Sequence, residues 1–438
     1  MPRLNEKNDR AAVRLAVLLL ILFAARVAAI FYYGVDGNVG GDDEGYLASG
    51  IFFARTGILS AWPQLYPYPS AEVMPGMPFV TGVFSLLFGE GHAYYLSLKL
   101  FWAFLGTCTF YFMYRTVTLY LPEGYGLLTG LFWLFPDFVW MDTVIQTETP
   151  YILFFMMAVY FTLAMGEKPD RKYFAGYAVS ILGALMFRAN ILLMPVFTLV
   201  YLFFFRKQRK ILLQRSAMLC VCLLLFIIPW SIRNYRDFGT FIPISYGTGN
   251  PELKGTRQGI NCPEDDDLDY ETNVYAVMRE NYAWCYQEDG ELKPELSQFF
   301  FSTQDKVMAH YRMREWFKQD PAAFLKSYLI IKPVTMFNWV YYWVEDDGSP
   351  VLQVLTALRK LNFVFCVLTG VLAFARKKLR GPVVFLALVY FGSIYMLSIG
   401  VALERYGSAL MPLRFLINTM GIWLLVDGFR SRRRPKAA

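Results

Sequence analysis

The chain has 438 residues, of which 56% are hydrophobic, 18% aromatic and only 18% charged. This composition excludes an ordinary soluble enzyme and is typical of a membrane protein that crosses the bilayer many times. The net charge of +7 comes from basic residues in short loops and near the ends, a pattern that indicates orientation across a membrane. We therefore expect membrane lipids around the chain and no nucleic-acid partner.

Hydrophobic stretches recur along the whole chain and predict ten transmembrane helices. The predicted spans are 12–33, 94–119, 125–140, 151–165, 173–187, 191–205, 216–230, 354–374, 383–399 and 409–426. The N-terminal tail, the RKQRK loop and the RSRRRPK tail are all basic. Because basic segments stay on the cytoplasmic side, an even number of spans places both termini in the cytoplasm.

The spacing of the spans predicts three parts. Residues 1–235 form an N-terminal transmembrane catalytic module whose first outer loop covers 34–91, and residues 236–326 form a periplasmic insert. The insert is too long for a plain loop, so it is expected to fold partly on its own. Residues 327–438 hold an interfacial segment and the last spans. The apolar stretch 325–344 is predicted not to span, since otherwise the basic ARKKLR segment would lie outside.

Three consecutive carboxylates, Asp42, Asp43 and Glu44, follow Gly41 just outside the first span. Asp42 is predicted to cap an amphipathic helix, with the other two acids in its first turn, where the helix dipole favours anions. Helix capping alone is one interpretation of these acids. Catalysis or cation binding at the membrane surface is the other.

Further ionisable residues mark the other outer connections. They are the acids Asp142 and Glu148 and the bases Arg188, Arg233 and Arg405. Charges near membrane depth are costly, so they suggest function, although each arginine could instead extend to the headgroups. A carboxylate serves as a base or a cation ligand, whereas arginine grips phosphate bidentately. Together they suit sugar transfer from a lipid phosphate.

Other patterns give weaker indications. The acidic stretch PEDDDLDYE lacks the glycine and spacing of an EF-hand, and His92 and His310 lack partners for a zinc site. No phosphate-binding glycine loop follows a strand. No cofactor is certain, and a divalent cation, Mg²⁺ or Mn²⁺, remains possible at the acids. Cys262 and Cys285 are the two cysteines of the polar insert and form a disulfide candidate if it faces an oxidising compartment.

Six short motifs occur in an order that resembles one family. They are Asp42 with Tyr46 four residues later, Pro75-Gly76-Met77-Pro78, Glu148 within QTETP, Arg188 within LMFRAN, the sequence PWSIRNYRDFG, and Arg405-Tyr406 followed by Pro412. They resemble GT-C fold glycosyltransferases of the bacterial branch similar to protein O-mannosyltransferases and aminoarabinose transferases, glycosyltransferase family 39-like. Met77 stands where the family usually has Tyr, and the final proline is displaced.

The resemblance implies an all-α integral membrane protein of the GT-C fold. About ten transmembrane helices, amphipathic juxtamembrane helices in the first outer loop and a periplasmic insert are expected. The implied enzyme is inverting and transfers a sugar from a polyprenyl-phosphate donor to a lipid, glycan or protein acceptor. It would lie in the inner (plasma) membrane of a bacterium, with its active site on the periplasmic or extracellular face.

Residue roles follow from the matched motifs and from the chemistry. Asp42 is the predicted general base, and Asp43, Glu44 and Glu148 are further catalytic candidates. The candidates for binding the donor phosphate or the substrate are Tyr46, Asp142, Arg188, Arg233, Asn234, Arg405 and Tyr406. A transporter or flippase of lipid-linked sugars is the alternative, as is a non-enzymatic assembly protein. The concentration of charge at one face favours the enzyme, since a transporter places charges deep within its spans.

Overall fold

The computed structural model describes residues 2–37, 41–206, 209–337 and 350–433. These ranges are predominantly helical, and their β-structure is limited to an isolated antiparallel bridge between Tyr286 and Leu292. The predicted all-α class is confirmed.

The first half of the chain alternates long apolar helices with shorter ones. In order they are α1 (Pro2–Tyr33), α2 (Asp42–Thr56), α3 (Gly76–Phe88), α4 (His92–Thr118), α5 (Glu123–Trp133), α6 (Pro136–Met141), α7 (Glu148–Glu167), α8 (Arg171–Leu185), α9 (Met194–Arg206) and α10 (Arg209–Phe238). A 3₁₀-helix, Ala189–Leu193, precedes α9 directly.

The second half begins with short helices and ends with long ones. These are α11 (Gly249–Gly255), α12 (Ala276–Asn281), α13 (Ser297–Gln319), α14 (Pro321–Lys326), α15 (Lys332–Phe337), α16 (Pro350–Ala375), α17 (Lys377–Leu397), α18 (Glu404–Ser408) and α19 (Met411–Arg433). Single 3₁₀ or π turns occur at Asp265–Asp267, Glu271–Tyr275, Ala283–Cys285, Pro294–Leu296 and Ser327–Ile331.

Seven helices of the described residues are long and apolar enough to cross a membrane. They are Arg10–Tyr33, His92–Thr118, Glu148–Glu167, Ala189–Arg206, Leu213–Phe238, Gln353–Ala375 and Lys377–Leu397. The other three predicted spans coincide with α5 and α6 together, with α8 and with α19. The first two are short for a bilayer that needs about 20 residues, and α19 carries Arg414 and Asn418. A multi-pass membrane protein is confirmed, and the total of ten spans stays a prediction.

Helix α7 lies at the centre of the bundle. In its most apolar stretch 83% of the residues are buried, compared with 17% for α1, α10 and α16. It packs against α4 and α8, and its side chains supply much of the main hydrophobic core. Because α7 begins at Glu148, this central helix holds a carboxylate at its first position.

A smaller hydrophobic core lies within the residues predicted to form the insert. Its buried members include Val274, Met278, Phe299 and Phe300, and it also takes in Ala71 of the first outer loop. The insert is thereby packed against that loop.

The two helices of the first outer loop pack closely on each other. The Thr81 hydroxyl of α3 lies 3.0 Å from the Tyr46 carbonyl oxygen and 2.7 Å from the Met77 carbonyl oxygen. A Cβ on Gly50 would lie 2.1 Å from the Thr81 hydroxyl, so only glycine permits this approach. Helix α3 has 13 residues and is too short to cross a bilayer.

The stretch 325–344 is described only as far as Phe337, where α15 ends. Residues 338–344 lie outside the described residues. The prediction that the stretch does not span the membrane therefore stays a prediction.

The expected disulfide between Cys262 and Cys285 is absent, and both are free thiols. Cys285 is buried in the smaller core. Cys262 lies in another environment, where it interacts electrostatically with Arg312 and Lys332. Equal exposure to an oxidising compartment says nothing about whether two cysteines are adjacent, and the prediction was wrong for that reason.

Candidate functional site

Helix α2 begins one residue earlier than the prediction of Asp42 as its cap requires. Gly41 is the N-cap, with φ of 122°, and Asp42 is the first residue of the helix. Such a φ favours glycine. The Asp42 carboxylate is therefore not used as a cap, and no side-chain hydrogen bond caps the helix.

The side chains of the three consecutive acids lie in three different environments. The Asp42 Oδ2 atom lies 2.6 Å from Nη2 of Arg405 on α18. Asp43 is buried and interacts electrostatically with Lys99 of α4. Glu44 is exposed, and no hydrogen bond or ion pair joins it to another described residue. Successive helical residues point about 100° apart, so only Asp42 reaches the arginine.

A second ion pair lies beside the first. Glu148, buried at the start of α7, is 2.6 Å from Nη2 of Arg188. The Arg188 Nε atom donates to the Thr147 hydroxyl at 2.8 Å. The first outer loop is held nearby because the Gly76 amide donates to the Met186 carbonyl at 2.7 Å. A Cβ on Gly76 would lie 2.5 Å from that carbonyl oxygen, so this contact requires the glycine of the PGMP motif.

The two pairs belong to one electrostatic unit, which we call the charged cluster: Asp42, Glu148, Arg188 and Arg405. Burial of the Arg405 guanidinium opposes its charge, but Glu148 and Asp42 together raise its pKa above its usual value. Burial also opposes the charge of Arg188, and Glu148 raises its pKa. Two carboxylates and two guanidinium groups thus balance in formal charge.

Two tyrosines border the charged cluster. Burial raises the pKa of Tyr46 above its usual value, and Asp42 raises it further. Tyr46 therefore stays a neutral phenol. The ring of Tyr406 lies with its centroid 5.6 Å from the Arg405 guanidinium carbon and interacts electrostatically with Arg188. The structure thus brings together six of the predicted site residues, from four separate motifs, and leaves the catalytic candidates Asp43 and Glu44 outside the charged cluster.

Asp142 is part of a different ion pair. Its Oδ2 atom lies 2.6 Å from Nε of Arg26 on α1, with both side chains 0% exposed. The Thr149 hydroxyl donates to its other oxygen at 2.7 Å. The structure thus places Asp142 in an enclosed ion pair separate from those of the charged cluster, and its role in substrate binding stays a prediction.

Arg233 and Asn234 also lie apart from the charged cluster, in a clasp between α10 and the outer segments. Arg233 pairs with Asp237 at 2.8 Å and donates to the Ser70 carbonyl at 2.8 Å. Buried Asn234 donates to the Ile242 carbonyl at 2.8 Å. The PWSIRNYRDFG motif thus fastens the first outer loop and the insert to α10, and the phosphate contact of these two residues stays a prediction.

Several buried charges escaped the sequence prediction. They are Arg26 in α1, Lys99 in α4 and the Arg359–Asp137 ion pair, whose atoms are 2.6 Å apart. Each of the three basic residues lies inside a predicted apolar span, where a charge is a recognisable exception. That exception was available in the sequence, but the partners were not, because they come from distant positions.

The described residues do not offer an evident metal site. Among them, no group of three or more His, Cys, Asp or Glu side chains is arranged so that it could hold a metal ion. The two carboxylates of the charged cluster are each paired with an arginine. The possible Mg²⁺ or Mn²⁺ at the acids stays a prediction, and no chemical step below passes through a metal.

An apolar groove of about 580 Å³ lies between α5, α16 and α19. Its walls include Phe132, Leu361, Leu368 and Phe415, and Asn418 is one of its few polar members. Leu361 is 63% exposed on a helix that crosses the membrane. The groove therefore opens towards lipid chains.

The middle of the chain matches a known family. Residues 70–232 match the family model described as dolichyl-phosphate-mannose-protein mannosyltransferase. The matched region contains Glu148, Arg188 and most of α10. The comparison with curated proteins gave no match.

Solved structures resemble almost the whole chain. The archaeal oligosaccharyltransferase AglB from Archaeoglobus fulgidus, in complex with an inhibitory peptide and a dolichol-phosphate, aligns with a TM-score of 0.58 and 13% identity over 97% of this chain and 52% of AglB. A crystal structure of the Archaeoglobus fulgidus oligosaccharyltransferase in the apo form aligns with a TM-score of 0.56 and 12% identity, over 96% of this chain and 51% of that chain. ArnT from Cupriavidus metallidurans bound to undecaprenyl phosphate aligns with a TM-score of 0.40 and 15% identity, over 94% of this chain and 77% of ArnT. At that score the ArnT likeness adds nothing to the fold assignment.

The fold and the site define an all-α integral membrane protein with the fold of GT-C glycosyltransferases, which confirms the fold that the motifs implied. The chain spans about half the length of these archaeal oligosaccharyltransferase chains.

Proposed function

We propose that this protein transfers a sugar from a polyprenyl-phosphate donor to an acceptor on the outer face of the membrane, with inversion at the anomeric carbon. The observation that carries the proposal is the charged cluster, in which a partly exposed carboxylate and two arginines meet on a glycosyltransferase fold. The family description names a dolichyl-phosphate sugar donor. The AglB structure, described as a complex with a dolichol-phosphate, also supports a lipid phosphate.

Asp42 is the proposed general base. Inverting transfer in one step needs a base for the acceptor proton, and the phosphate leaves as a stable anion without a general acid. Asp42 lies at the N-terminus of α2, where the helix dipole stabilises its anion. A carboxylate is a weak base, but it suffices if the sugar carbon develops oxocarbenium character before the proton moves.

Arg405 and Arg188 are the proposed phosphate ligands. Guanidinium groups bind phosphate oxygens through paired hydrogen bonds and stabilise the charge that grows on the leaving group. Glu148 holds Arg188 in place at 2.6 Å, so we assign it a positioning role. Tyr46 and Tyr406 border the same space and are proposed to contact the sugar or the phosphate.

The proposed location is the inner membrane of a bacterium, with both termini in the cytoplasm and the charged cluster facing outwards. The distribution of basic residues supports this orientation, and the motifs support the bacterial branch. The apolar groove between α5, α16 and α19 offers a surface for the polyprenyl chain.

A transporter or flippase of lipid-linked sugars remains the second candidate, and one observation favours it. Arg26, Lys99 and Arg359 are buried inside helices, where a transporter would place charges. Arg26 and Arg359, however, are paired with carboxylates at 2.6 Å, and Lys99 donates to the Gly37 carbonyl at 2.6 Å. Such satisfied groups act as structural contacts and favour the enzyme.

Mass spectrometry of polyprenyl-phosphate sugars and of surface glycans tests the proposal. Cells that lack the protein are expected to accumulate one polyprenyl-phosphate sugar and to lose the matching sugar from one surface acceptor. Restoring the gene with Asp42→Asn should not reverse either change, whereas Glu44→Gln should. Unchanged donor and acceptor pools in the deletion strain would contradict sugar transfer. Normal sugar transfer by purified protein without donor movement across liposomes would exclude the transporter.

A further inference from the structure

We propose that Asp42 and the lipid phosphate compete for Arg405, so that this arginine passes from the base to the leaving group during each turnover. The inference rests on the proposed function. It adds that the Arg405 guanidinium couples removal of the acceptor proton to departure of the phosphate.

The first support is the geometry of the Asp42–Arg405 pair. The two are joined through one nitrogen and one oxygen, Nη2 and Oδ2, at 2.6 Å. The Arg405 Nε atom is buried and has no hydrogen-bond partner in the described part of the chain. A guanidinium prefers paired hydrogen bonds to an anion, so Arg405 retains donor capacity that Asp42 does not use.

The second support is the exposure of the pair. The Asp42 and Arg405 side chains are 45% and 35% exposed, whereas the Glu148 carboxylate is 2% exposed. Arg188 is also bonded to Thr147, which fixes its position. A partly exposed pair with one contact costs little to separate. Arg405 is therefore the mobile cation of the charged cluster, and Arg188 is the fixed one.

The third support is the charge balance of the reaction. The acceptor oxygen or nitrogen forms a bond to the anomeric carbon, and the bond from that carbon to the phosphate oxygen breaks with its electron pair on the phosphate. The acceptor proton goes to Asp42, which becomes neutral and later releases it to water. The donor phosphate carries one negative charge, and the product polyprenyl phosphate carries about 1.5 to 2.

Negative charge thus disappears from Asp42 at the moment when it grows on the phosphate. Arg405 is attracted to the group with the larger negative charge. Its attraction therefore shifts from Asp42 to the phosphate during the reaction. The resting pair also holds Asp42 against Arg405 until a phosphate arrives. This arrangement keeps the base occupied in the absence of donor.

Binding of polyprenyl phosphate alone tests the competition without any sugar transfer. Asp42→Asn removes the competing charge, so purified Asp42→Asn should bind a short-chain polyprenyl phosphate about fivefold more tightly than the unaltered protein, or better. Isothermal titration in detergent at fixed pH measures the dissociation constants. Glu44→Gln is the matched control, because it removes an equal charge two residues away and leaves the pair intact.

A double-substitution cycle identifies the cation. In an Arg405→Gln background, Asp42→Asn should no longer tighten binding, since Arg405 is the group it sets free. A less than twofold effect of Asp42→Asn, an equal effect of Glu44→Gln, or a persistent gain in the Arg405→Gln background would each overturn the competition. If the unaltered protein binds the lipid phosphate, such a result leaves the proposed function standing. Absence of binding by every variant would contradict the donor class as well.

Discussion

Two aspartate–arginine pairs in this protein have the same length and opposite surroundings. Asp42–Arg405 and Asp142–Arg26 both measure 2.6 Å. The first joins the outer loop to α18, with side chains 45% and 35% exposed; the second joins α1 to the segment before α7, with both side chains 0% exposed.

The difference shows that surroundings, rather than the chemistry of the pair, decide what it can do. A fully enclosed pair has lost all its hydration, so separating it leaves an uncompensated charge and is very costly. A partly exposed pair can exchange its partner for water or for a ligand phosphate. Asp142–Arg26 therefore serves the fold, and Asp42–Arg405 is available for chemistry.

Substitution within the enclosed pair should have the largest effect on stability. Asp142→Ala leaves Arg26 charged and unpaired, and we expect a loss of about 3 to 5 kcal/mol in the free energy of unfolding. Thermal unfolding in detergent, followed by the recovery of folded monodisperse protein, measures it. The matched change Asp42→Ala should cost about 1 kcal/mol or less.

Replacing both members of the enclosed pair separates charge from packing. Arg26→Met with Asp142→Leu should recover most of the stability lost by Asp142→Ala, because apolar side chains of similar volume need no compensation. If Asp142→Ala is no more harmful than Asp42→Ala, the distinction between the two pairs fails.

The second prediction concerns Arg188. The exposure of its ion pair is intermediate between the two aspartate–arginine pairs, since its partner Glu148 is buried. Arg188→Lys keeps the charge but loses the planar fork that binds Glu148, Thr147 and a phosphate together. We expect a fall in turnover of about tenfold to a hundredfold, with weaker donor binding. Steady-state and donor-binding measurements decide it. Activity equal to that of the unaltered protein would remove Arg188 from the phosphate site.

The smallest expected effect on stability concerns Lys332, a buried cation that is not paired with a described carboxylate in the way that Arg26 and Arg188 are. It is 1% exposed, and its Nζ atom donates to the Gly255 carbonyl at 3.0 Å and lies 3.8 Å from the centroid of the Tyr328 ring. Burial lowers the pKa of Lys332 from 10.5 to about 7. The folded protein therefore loses this proton near pH 7, whereas the unfolded chain keeps it up to about pH 10.5.

Stability should accordingly rise with pH above 7, by at most about 1.4 kcal/mol per pH unit for one proton. Below pH 7 both states carry the proton, and this contribution is constant. Lys332→Met should reduce the rise in melting temperature between pH 7 and pH 9 relative to the unaltered protein. Identical pH profiles in the two proteins would show that Lys332 keeps its charge at neutral pH.

The sequence predicted what depends on local composition and on motif order. Apolar stretches identified the all-α membrane class, and motifs distributed from Asp42 to Tyr406 identified the charged cluster and its tyrosines. Residue type alone could not separate Asp42 from Asp43, because one residue of helical rotation sends the first to Arg405 and the second towards Lys99. The same limit applied to Arg233, whose partner Asp237 lies one turn further along the same helix.

Partners distant in sequence explain the contacts that the sequence did not predict. The ion pair of Asp142 was not predicted, because its partner Arg26 lies 116 positions earlier and no local pattern joins the two. The cysteines Cys262 and Cys285 were paired on compartment alone, and the packing of the insert keeps them as free thiols. Local patterns carry no distance information between segments that the fold brings together.

Single-turnover sugar transfer with purified protein tests the central claim most directly. The polyprenyl-phosphate sugar that accumulates in deletion cells is the donor, and Asp42→Asn is compared with Glu44→Gln at saturating donor. The account predicts a rate about 10² to 10⁴ lower for Asp42→Asn, and a rate within twofold of the unaltered protein for Glu44→Gln. An unaltered rate in Asp42→Asn would contradict the assignment of Asp42 as the base.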